Sequence, residues 1–262
     1  MERNRTHDPH PLQRLAEATD ASEASTPGRG TAAMGAASCP ASSVAAADHT
    51  RARIPRPQGV TRVRTLVVGT SNPGKVKEIE ALLLRLPIVL RLLPGGLAAP
   101  PETAGTLEGN AALKAAHYAR LTGEHVLADD TGLEVDALGG APGVDTAIYA
   151  GPAADAAKNR AKLLLALRGI PPGGRTARFR CVVALARPSG DAAGSAEGVL
   201  EGVVTTTERG EHGFGYDPIF APIVDGAAER TLAELPFDKK NALSHRARAL
   251  SALRPKLLEL LA

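Results

Sequence analysis

Four short polar segments, far apart in the chain, carry the residue types that phosphate chemistry requires. They lie at residues 70–75, 128–132, 214–217 and 244–246. Together they offer donors for an anion, a carboxylate for a divalent cation, and aromatic rings on which a planar base can stack. Each segment alone is a weak signal, because short polar strings occur by chance. Their joint occurrence between regular apolar segments predicts one pocket for a nucleoside triphosphate.

The first segment joins a predicted strand to a predicted helix. A strand, a tight turn and a helix start bring backbone N–H groups together around an anion. Thr70, Ser71 and Asn72 add side-chain donors. Gly74 lets the backbone approach a ligand closely, and Lys75 adds a positive charge. The spacing differs from that of a Walker A loop. The alternative is an ordinary capped helix whose lysine is solvated.

The second segment places two carboxylates, Asp129 and Asp130, at the end of a short predicted strand. Adjacent carboxylates are costly unless a cation or hydrogen bonds hold them. Because successive side chains on a strand point to opposite faces, one can face a site while the other braces the loop. One or two carboxylates plus substrate phosphates are typical of a Mg²⁺ site. The alternative is a plain Asp-Asp-Thr-Gly turn.

The third segment is rich in glycine and carries two aromatic residues, Phe214 and Tyr216. A planar base can stack on either ring, since the neighbouring glycines leave room. The alternative is a Gly-Pro turn whose rings pack inward.

The fourth segment opens the last predicted helix, with Ser244 as its cap and His245 and Arg246 in its first turn. Cations in a first turn oppose the helix macrodipole, which favours their placement for a bound anion. The alternative is a solvated basic face.

Regular elements must position these segments. Strands and helices alternate in the first part of the chain, and a hairpin of two long strands follows. This order predicts an α/β fold, a mixed sheet flanked by helices. The predicted strands span residues 66–68, 89–93, 126–128, 177–186 and 197–206, and the predicted helices span residues 73–86, 110–121, 154–167 and 244–261.

Composition divides the chain at about residue 62. Residues 1–62 contain almost no large apolar side chains, which predicts a disordered low-complexity extension. Residues 63–262 are predicted to form the folded domain. The formal charge of +3 comes from residues 1–65, which hold nine arginines and six acidic residues. The neutral remainder lacks the basic field expected of a nucleic-acid-binding protein.

Two further features concern location. We expect no signal peptide, because an apolar h-region is missing. We also expect no membrane span, because no apolar run approaches the roughly 20 residues that cross a bilayer. Cys39 and Cys181 form no metal-ligand spacing and no disulfide framework. We therefore expect a cytoplasmic protein with a buried free thiol at Cys181.

The folded part of the chain resembles the non-canonical purine nucleoside triphosphate pyrophosphatases, also called the inosine triphosphatase family. The resemblance runs from Leu66 to the C-terminus and covers none of residues 1–62. It is highly specific because several strings occur together. The matching strings are TSNPGKVKEI, NAALKA, ADDTGLEVDALGGAPGV, GFGYDPIF and KNALSHRARAL.

The resemblance implies an elongated two-lobed fold with a central cleft, assembled as a homodimer. It also implies a Mg²⁺-dependent hydrolase that converts ITP, dITP and XTP to the monophosphate and pyrophosphate, thereby cleansing the nucleotide pool. Asp130 falls on the family's proton acceptor and metal-binding carboxylate. The substrate-binding positions fall on Thr70, Ser71, Asn72, Pro73, Gly74, Lys75, Thr131, Phe214, Gly215, Tyr216, Asp217, Lys240, His245 and Arg246.

The chain departs from the family pattern at three places. Thr131 replaces the usual Ser and keeps the hydroxyl. Ile148 stands where many bacterial members carry Arg, so a charged contact is absent. A lone Glu102 follows Pro101 where some members present two adjacent acids, which puts a second metal ligand in doubt.

Two alternatives stay open at this stage. One is a pyrophosphatase for modified pyrimidine triphosphates, as in the structurally related septum-inhibitor-like enzymes. The other is a nucleotide-binding sensor that keeps the pocket without catalysis. The intact Asp130, Lys75 and Arg246 disfavour the sensor, whereas Ile148 slightly favours it.

Overall fold

The computed structural model describes residues 65–261. The predicted disordered extension lies outside the described residues, as does the predicted domain start at residue 63. Twelve helices and strands, besides short 3₁₀ turns, make up the described part. In chain order they are β1 (Thr65–Val68), α1 (Pro73–Leu83), β2 (Val89–Leu92), α2 (Leu107–Thr122), β3 (His125–Val135), β4 (Pro142–Gly143), α3 (Ala156–Ala166), β5 (Thr176–Ala186), β6 (Ala192–Val204), β7 (Phe220–Pro222), α4 (Phe237–Leu243) and α5 (His245–Leu261).

These strands form one mixed sheet in the order β2-β1-β3-β5-β6-β7, with the short β4 paired to β3. β1 pairs in parallel with both β2 and β3. β3, β5, β6 and β7 pair antiparallel in succession. The prediction of a mixed sheet flanked by helices is therefore confirmed. The two-lobed shape stays a prediction.

β3 is much longer than the sequence predicts. The predicted end of this strand at residue 128 is wrong, and so is the alternative of an Asp-Asp-Thr-Gly turn. Asp129 and Asp130 lie within β3, where they pair with Val183 and Val182 of β5. The long apolar strand β5 offers an unbroken ladder of backbone partners, and this tertiary pairing overrides the turn preference of Asp, Thr and Gly.

Helices cover both faces of the sheet. On one face, α1 and α5 pack against β1, β3 and β5 around side chains such as Ile79, Val183 and Leu253. On the other face, α2 packs against the same strands around side chains such as Ala115 and Val182. A third apolar cluster, which contains Phe179 and Phe220, lies around the extended ends of β3, β5 and β6.

The helix ends follow local sequence signals. The Asn72 side chain caps α1, and Pro73 takes its first position, as predicted. The Ser244 hydroxyl accepts from the Ala247 amide at 3.1 Å, so its predicted role as cap of α5 is confirmed. α2 begins three residues before the prediction, because Thr106 caps it. No helix within residues 65–261 has the length and apolar character needed to cross a membrane.

Candidate active site

The predicted site residues line a single cavity of about 480 Å³. It is bordered by the β1–α1 turn, the middle of β3, the 214–217 loop, α4 and the first turn of α5. The structure thus brings together Asp130 and all of the predicted substrate-binding residues, although the first and last of them, Thr70 and Arg246, are 176 positions apart in the chain. Their roles stay predictions. The cavity volume suits a small-molecule ligand.

The β1–α1 turn is organised by its own side chains. The Asn72 carboxamide oxygen accepts from the amides of Gly74 and Lys75 at 2.9 and 3.3 Å. The Thr70 hydroxyl accepts from the Asn72 amide at 3.2 Å. Two of the first amides of α1 therefore already have a partner. An anion at this helix start must share these amides with Asn72 or displace it.

Gly74 also makes room for the Phe214 ring. A Cβ atom built on Gly74 would lie 2.7 Å from a ring carbon of Phe214, closer than side chains pack. Phe214 is half-buried, and the Lys240 ammonium lies 4.7 Å from its ring centroid. Tyr216 instead packs into the core, and its hydroxyl donates to the Thr146 carbonyl at 2.9 Å. Phe214 is therefore the ring that remains partly accessible for stacking.

Asp129 is a buried carboxylate held by cations. Its Oδ2 lies 3.0 Å from the Lys75 ammonium and 2.9 Å from the Arg246 guanidinium, and it accepts from the Thr131 hydroxyl at 3.1 Å. Burial favours a raised pKa, but the charges of Lys75 and Arg246 outweigh it and hold the pKa of Asp129 below its usual range. Asp129 therefore positions the two cations, as the strand alternation predicts for one acid of the pair.

Asp130 faces the cavity and meets a different set of groups. Its Oδ1 lies 2.6 Å from the Lys114 ammonium, and its Oδ2 accepts from the Asn110 amide at 3.4 Å. Lys114 also contacts Glu102 at 3.0 Å. Burial raises the pKa of Asp130 despite the opposing charge of Lys114. A carboxylate with a raised pKa is a better proton acceptor than a solvated one.

Glu78 links the remaining cations. It is 2% exposed, and its two oxygens contact the Lys240 ammonium, at 2.8 Å, and the Arg246 guanidinium. Lys240 in turn contacts Asp217 at 2.5 Å. A continuous chain of alternating charges therefore runs from Lys75 to Asp217. We name it the buried ion-pair chain, and its members are Lys75, Asp129, Arg246, Glu78, Lys240 and Asp217.

The sequence motifs predict no role for Glu78, Lys114 or Asn110. Each of these residues could have been recognised from the sequence, because it is a polar residue on the helix face that otherwise carries the buried apolar side chains. Glu78 adjoins Ile79 on α1, and Lys114 adjoins Ala115 on α2. A charge at such a position is rarely buried unless it is paired.

His245 forms a wall of the cavity and is stacked on Phe179, with ring centroids 4.7 Å apart. Burial, reinforced by the charge of Arg246, lowers the pKa of His245 well below 6.5. The imidazole is therefore neutral at pH 7. Its Nδ1 is buried and has no hydrogen-bond partner among residues 65–261. α5 reaches this position because Gly198 on β6 lacks a side chain that would collide with its backbone.

Ile148 does not line the cavity, although Thr146 and Ala147 beside it do. Its side chain is 49% exposed. The charge that the family resemblance leads us to expect at this position is replaced by an exposed apolar group.

Charges of both signs are nearly balanced around the cavity. With His245 neutral, carboxylates exceed cations by one. The cations are Lys75, Lys114, Lys240 and Arg246, and the carboxylates are Glu78, Glu102, Asp129, Asp130 and Asp217. An anionic ligand therefore meets focused donors and no net positive field.

The fold and the cavity define an α/β protein with a charge-lined cleft for a small polar ligand. Comparison with known proteins gives the family. The sequence model of the Ham1 family matches residues 66–256. The chain belongs to the Ham1 family, and the resemblance inferred from its motifs is confirmed.

Individual relatives are similar over most of the chain. A dITP/XTP pyrophosphatase from Xanthomonas campestris pv. campestris is 48% identical over 74% of this chain and 98% of that protein. The solved structure of a Ham1 protein from Coxiella burnetii is 39% identical with a TM-score of 0.65, covering 75% and 99% of the two chains. A nucleoside-triphosphatase/dITP/XTP pyrophosphatase from Mycobacterium abscessus is 40% identical with a TM-score of 0.58, covering 73% and 99%.

Proposed function

We propose that the protein hydrolyses the non-canonical purine nucleoside triphosphates ITP, dITP and XTP to the monophosphate and pyrophosphate. Such a reaction removes damaged purine nucleotides from the nucleotide pool. One observation carries the proposal. The β1–α1 turn, Asp130 and the 214–217 loop meet in one cavity, in a chain that is 48% identical to a dITP/XTP pyrophosphatase.

We propose Mg²⁺ as the cofactor, held by Asp130 with help from Glu102. Oxygens of these two residues converge on the Lys114 ammonium, at 2.6 and 3.0 Å, so both can reach one cation. Hard carboxylate oxygens suit Mg²⁺. Within residues 65–261 no group of three or more His, Cys, Asp or Glu side chains is arranged for a metal ion, so phosphates and water would complete the coordination. When bound, Mg²⁺ supplies charge neutralisation of the triphosphate.

The chain's own residues account for the chemical step. Asp130 orients a water molecule and takes its proton, and the water oxygen attacks the α-phosphorus. The bond from that phosphorus to the bridging oxygen breaks, and pyrophosphate leaves. Lys75, Lys240 and Arg246 stabilise the charge that builds on the phosphate oxygens. The buried ion-pair chain holds these three cations in place before substrate arrives, which lowers the cost of organising the site.

Selectivity rests on the six-position of the purine. Inosine and xanthine carry an oxygen there, whereas adenine carries an amino group. Neutral His245 lines the cavity and carries one ring N–H that can donate to that oxygen, and backbone amides of the 214–217 loop can do the same. An amino group would leave these buried donors unpaired, which disfavours ATP. Exclusion of GTP must depend on its two-amino group.

The direct test is pyrophosphate release from ITP, XTP, dITP and the four standard triphosphates, with and without Mg²⁺. We expect release from the three non-canonical purines and dependence on Mg²⁺. Comparable turnover of ATP and ITP would contradict the proposal. Preferred turnover of modified pyrimidine triphosphates would support the first alternative, and tight ITP binding without products would support the sensor.

Asp130→Asn tests the assigned base. We expect pyrophosphate release to fall by at least about 100-fold, because general-base catalysis contributes on the order of 10²–10⁴. The matched control is Asp136→Asn, at a carboxylate that is 43% exposed and pairs with Arg178. We expect this control to retain wild-type turnover. Near wild-type rates in Asp130→Asn would refute the assignment.

A homodimer, which rests on the family resemblance, and a cytoplasmic location, which rests on the cysteine usage, also belong to the proposal. Sedimentation equilibrium of the purified full-length chain tests the first. A mass of one chain at micromolar concentration would count against the dimer.

A further inference from the structure

Lys114 occupies the point where the two cavity-facing carboxylates of the proposed metal site converge. Its ammonium lies 2.6 Å from Asp130 Oδ1 and 3.0 Å from Glu102 Oε1. The lysine side chain is only 11% exposed. Glu102 lies in the loop before α2, whereas Asp130 lies on β3, so Lys114 joins two separate parts of the chain.

A metal ion and this ammonium compete for the same oxygens. Mg²⁺ binds carboxylate oxygen at about 2.0–2.1 Å, which would place it within a few ångströms of Lys114 in its present position. Two cations that close repel strongly in a buried site. The two carboxylates together carry two negative charges. One divalent cation can offset both charges, and so can Lys114 together with one further positive charge.

Asn110 holds the carboxylates in place independently of Lys114. It lies four residues earlier on α2, so both side chains project from the same helix face. Its amide donates to Asp130 Oδ2 at 3.4 Å, and its carbonyl oxygen accepts from the Ala104 amide at 3.1 Å in the loop that carries Glu102. Departure of the ammonium therefore need not dismantle the pair.

We propose that Lys114 is a positioning residue that takes the place of the divalent cation in the nucleotide-free protein and must leave Glu102 and Asp130 before the cation binds. The metal then enters together with the triphosphate, whose negative charge offsets both cations, and not ahead of it. This inference rests on the proposed function for the identity of the metal. It goes further by assigning an order of binding and a residue that enforces it.

The test measures Mn²⁺ binding to the nucleotide-free full-length protein by electron paramagnetic resonance. Lys114→Met removes the ammonium and keeps an unbranched side chain. We expect this variant to bind Mn²⁺ at least 10-fold more tightly than the wild type, and we expect Asp130→Asn in the same variant to abolish the gain. Equal or weaker Mn²⁺ binding in Lys114→Met would overturn the inference. A gain that survives Asp130→Asn would also overturn it.

Two further variants keep the result interpretable. If the methionine variant does not fold, Lys114→Gln takes its place. Gln also lacks the ammonium charge, and its side-chain amide can still donate to either carboxylate. Lys158→Met removes a lysine whose side chain is 74% exposed and whose nearest carboxylate is 3.8 Å away. We expect it to leave Mn²⁺ binding unchanged, and an increase like that of Lys114→Met would point to a general charge effect and overturn the inference.

The outcome is separable from that of the proposed function, because no nucleotide is present. Absence of pyrophosphate release from every triphosphate would refute the proposed activity and leave the Mn²⁺ result standing. An active enzyme whose Lys114→Met variant gains no Mn²⁺ affinity would refute the inference alone.

Discussion

Replacement of Glu78 by Gln tests how the buried ion-pair chain is held together. The change removes one negative charge and preserves the shape of the side chain. Glu78 serves both Lys240 and Arg246, and all three side chains are at most 5% exposed. After the change, Lys240 keeps its ion pair with Asp217, and Arg246 keeps Asp129 and the Thr131 hydroxyl. The Gln amide also turns a donor toward one of the cations.

The expected loss follows from burial. Removal of one partner of a buried ion pair typically costs about 3–5 kcal/mol, because it leaves a desolvated charge without its counter-charge. A domain has a total stability of about 5–15 kcal/mol, so the loss is large enough to measure easily. The matched control is Glu201→Gln. Glu201 pairs with Arg178 at 3.2 Å but is 55% exposed, and an exposed pair contributes at most about 1 kcal/mol.

Urea-induced unfolding at pH 7, followed by circular dichroism, gives the free energy of unfolding for both variants and the wild type. We expect Glu78→Gln to lose several times more stability than Glu201→Gln. Glu78→Asp, which keeps the charge on a shorter side chain, should lose less than Glu78→Gln. Equal losses of under about 1 kcal/mol in the two Gln variants would refute the claim that charge pairing at Glu78 holds the site together.

Two further predictions concern α5 and its first residue. His245 stays neutral because its pKa is depressed from 6.5, so on acidification the unfolded chain gains a proton that the folded protein does not. Stability should therefore fall as the pH is lowered through about 6.5, the ordinary histidine pKa, and His245→Gln should flatten the pH dependence of urea unfolding in this range. An unchanged pH dependence would show that His245 titrates normally. Gly198→Ala should force α5 away from β6, because the added methyl group would lie 2.9 Å from the Arg248 Cβ and still closer to the α5 backbone. We expect Gly198→Ala to lose about 1–3 kcal/mol of stability and to release pyrophosphate more slowly. The control is Gly173→Ala, whose added methyl group meets no atom within 4 Å and should change neither quantity. Wild-type stability and activity in Gly198→Ala would contradict the packing argument.

The cations predicted to bind phosphate are already paired with carboxylates in the structure. From the sequence, Lys75, Lys240 and Arg246 were expected as donors for phosphate oxygens. Each of them also has a buried carboxylate partner, so each is oriented before a ligand binds. Arg246 is 1% exposed and contacts Glu78, Asp129 and Thr131. Any phosphate contact by Arg246 must therefore be made by an edge of the guanidinium that these partners leave accessible.

Local signals in the sequence determined the framework of the site. Asn72 followed by Pro73 defines a helix start whatever surrounds it, since the cap and the fixed φ of proline act within one turn. Other elements can likewise be predicted from the order of apolar residues within one segment. These are β1 and β5, which contain continuous apolar runs, and α5, in which apolar residues recur at helical spacing. The motifs gave the family as well, because four separated polar strings in one order are improbable in an unrelated chain.

Only the tertiary structure decided which charges meet. Asp129 and Asp130 are neighbours in sequence, yet they lie on opposite faces of β3, which pairs with β5. Asp129 contacts Lys75 and Arg246, whereas Asp130 contacts Lys114. Arg246, one of the two partners of Glu78, lies 168 residues away from it, and no local pattern encodes such a contact. The physical reason is that a buried charge is stable only when a counter-charge comes within contact distance, and that distance is set by how helices pack on the sheet. The sequence therefore shows which charged residues are present, and the packing of helices on the sheet determines which of them form ion pairs.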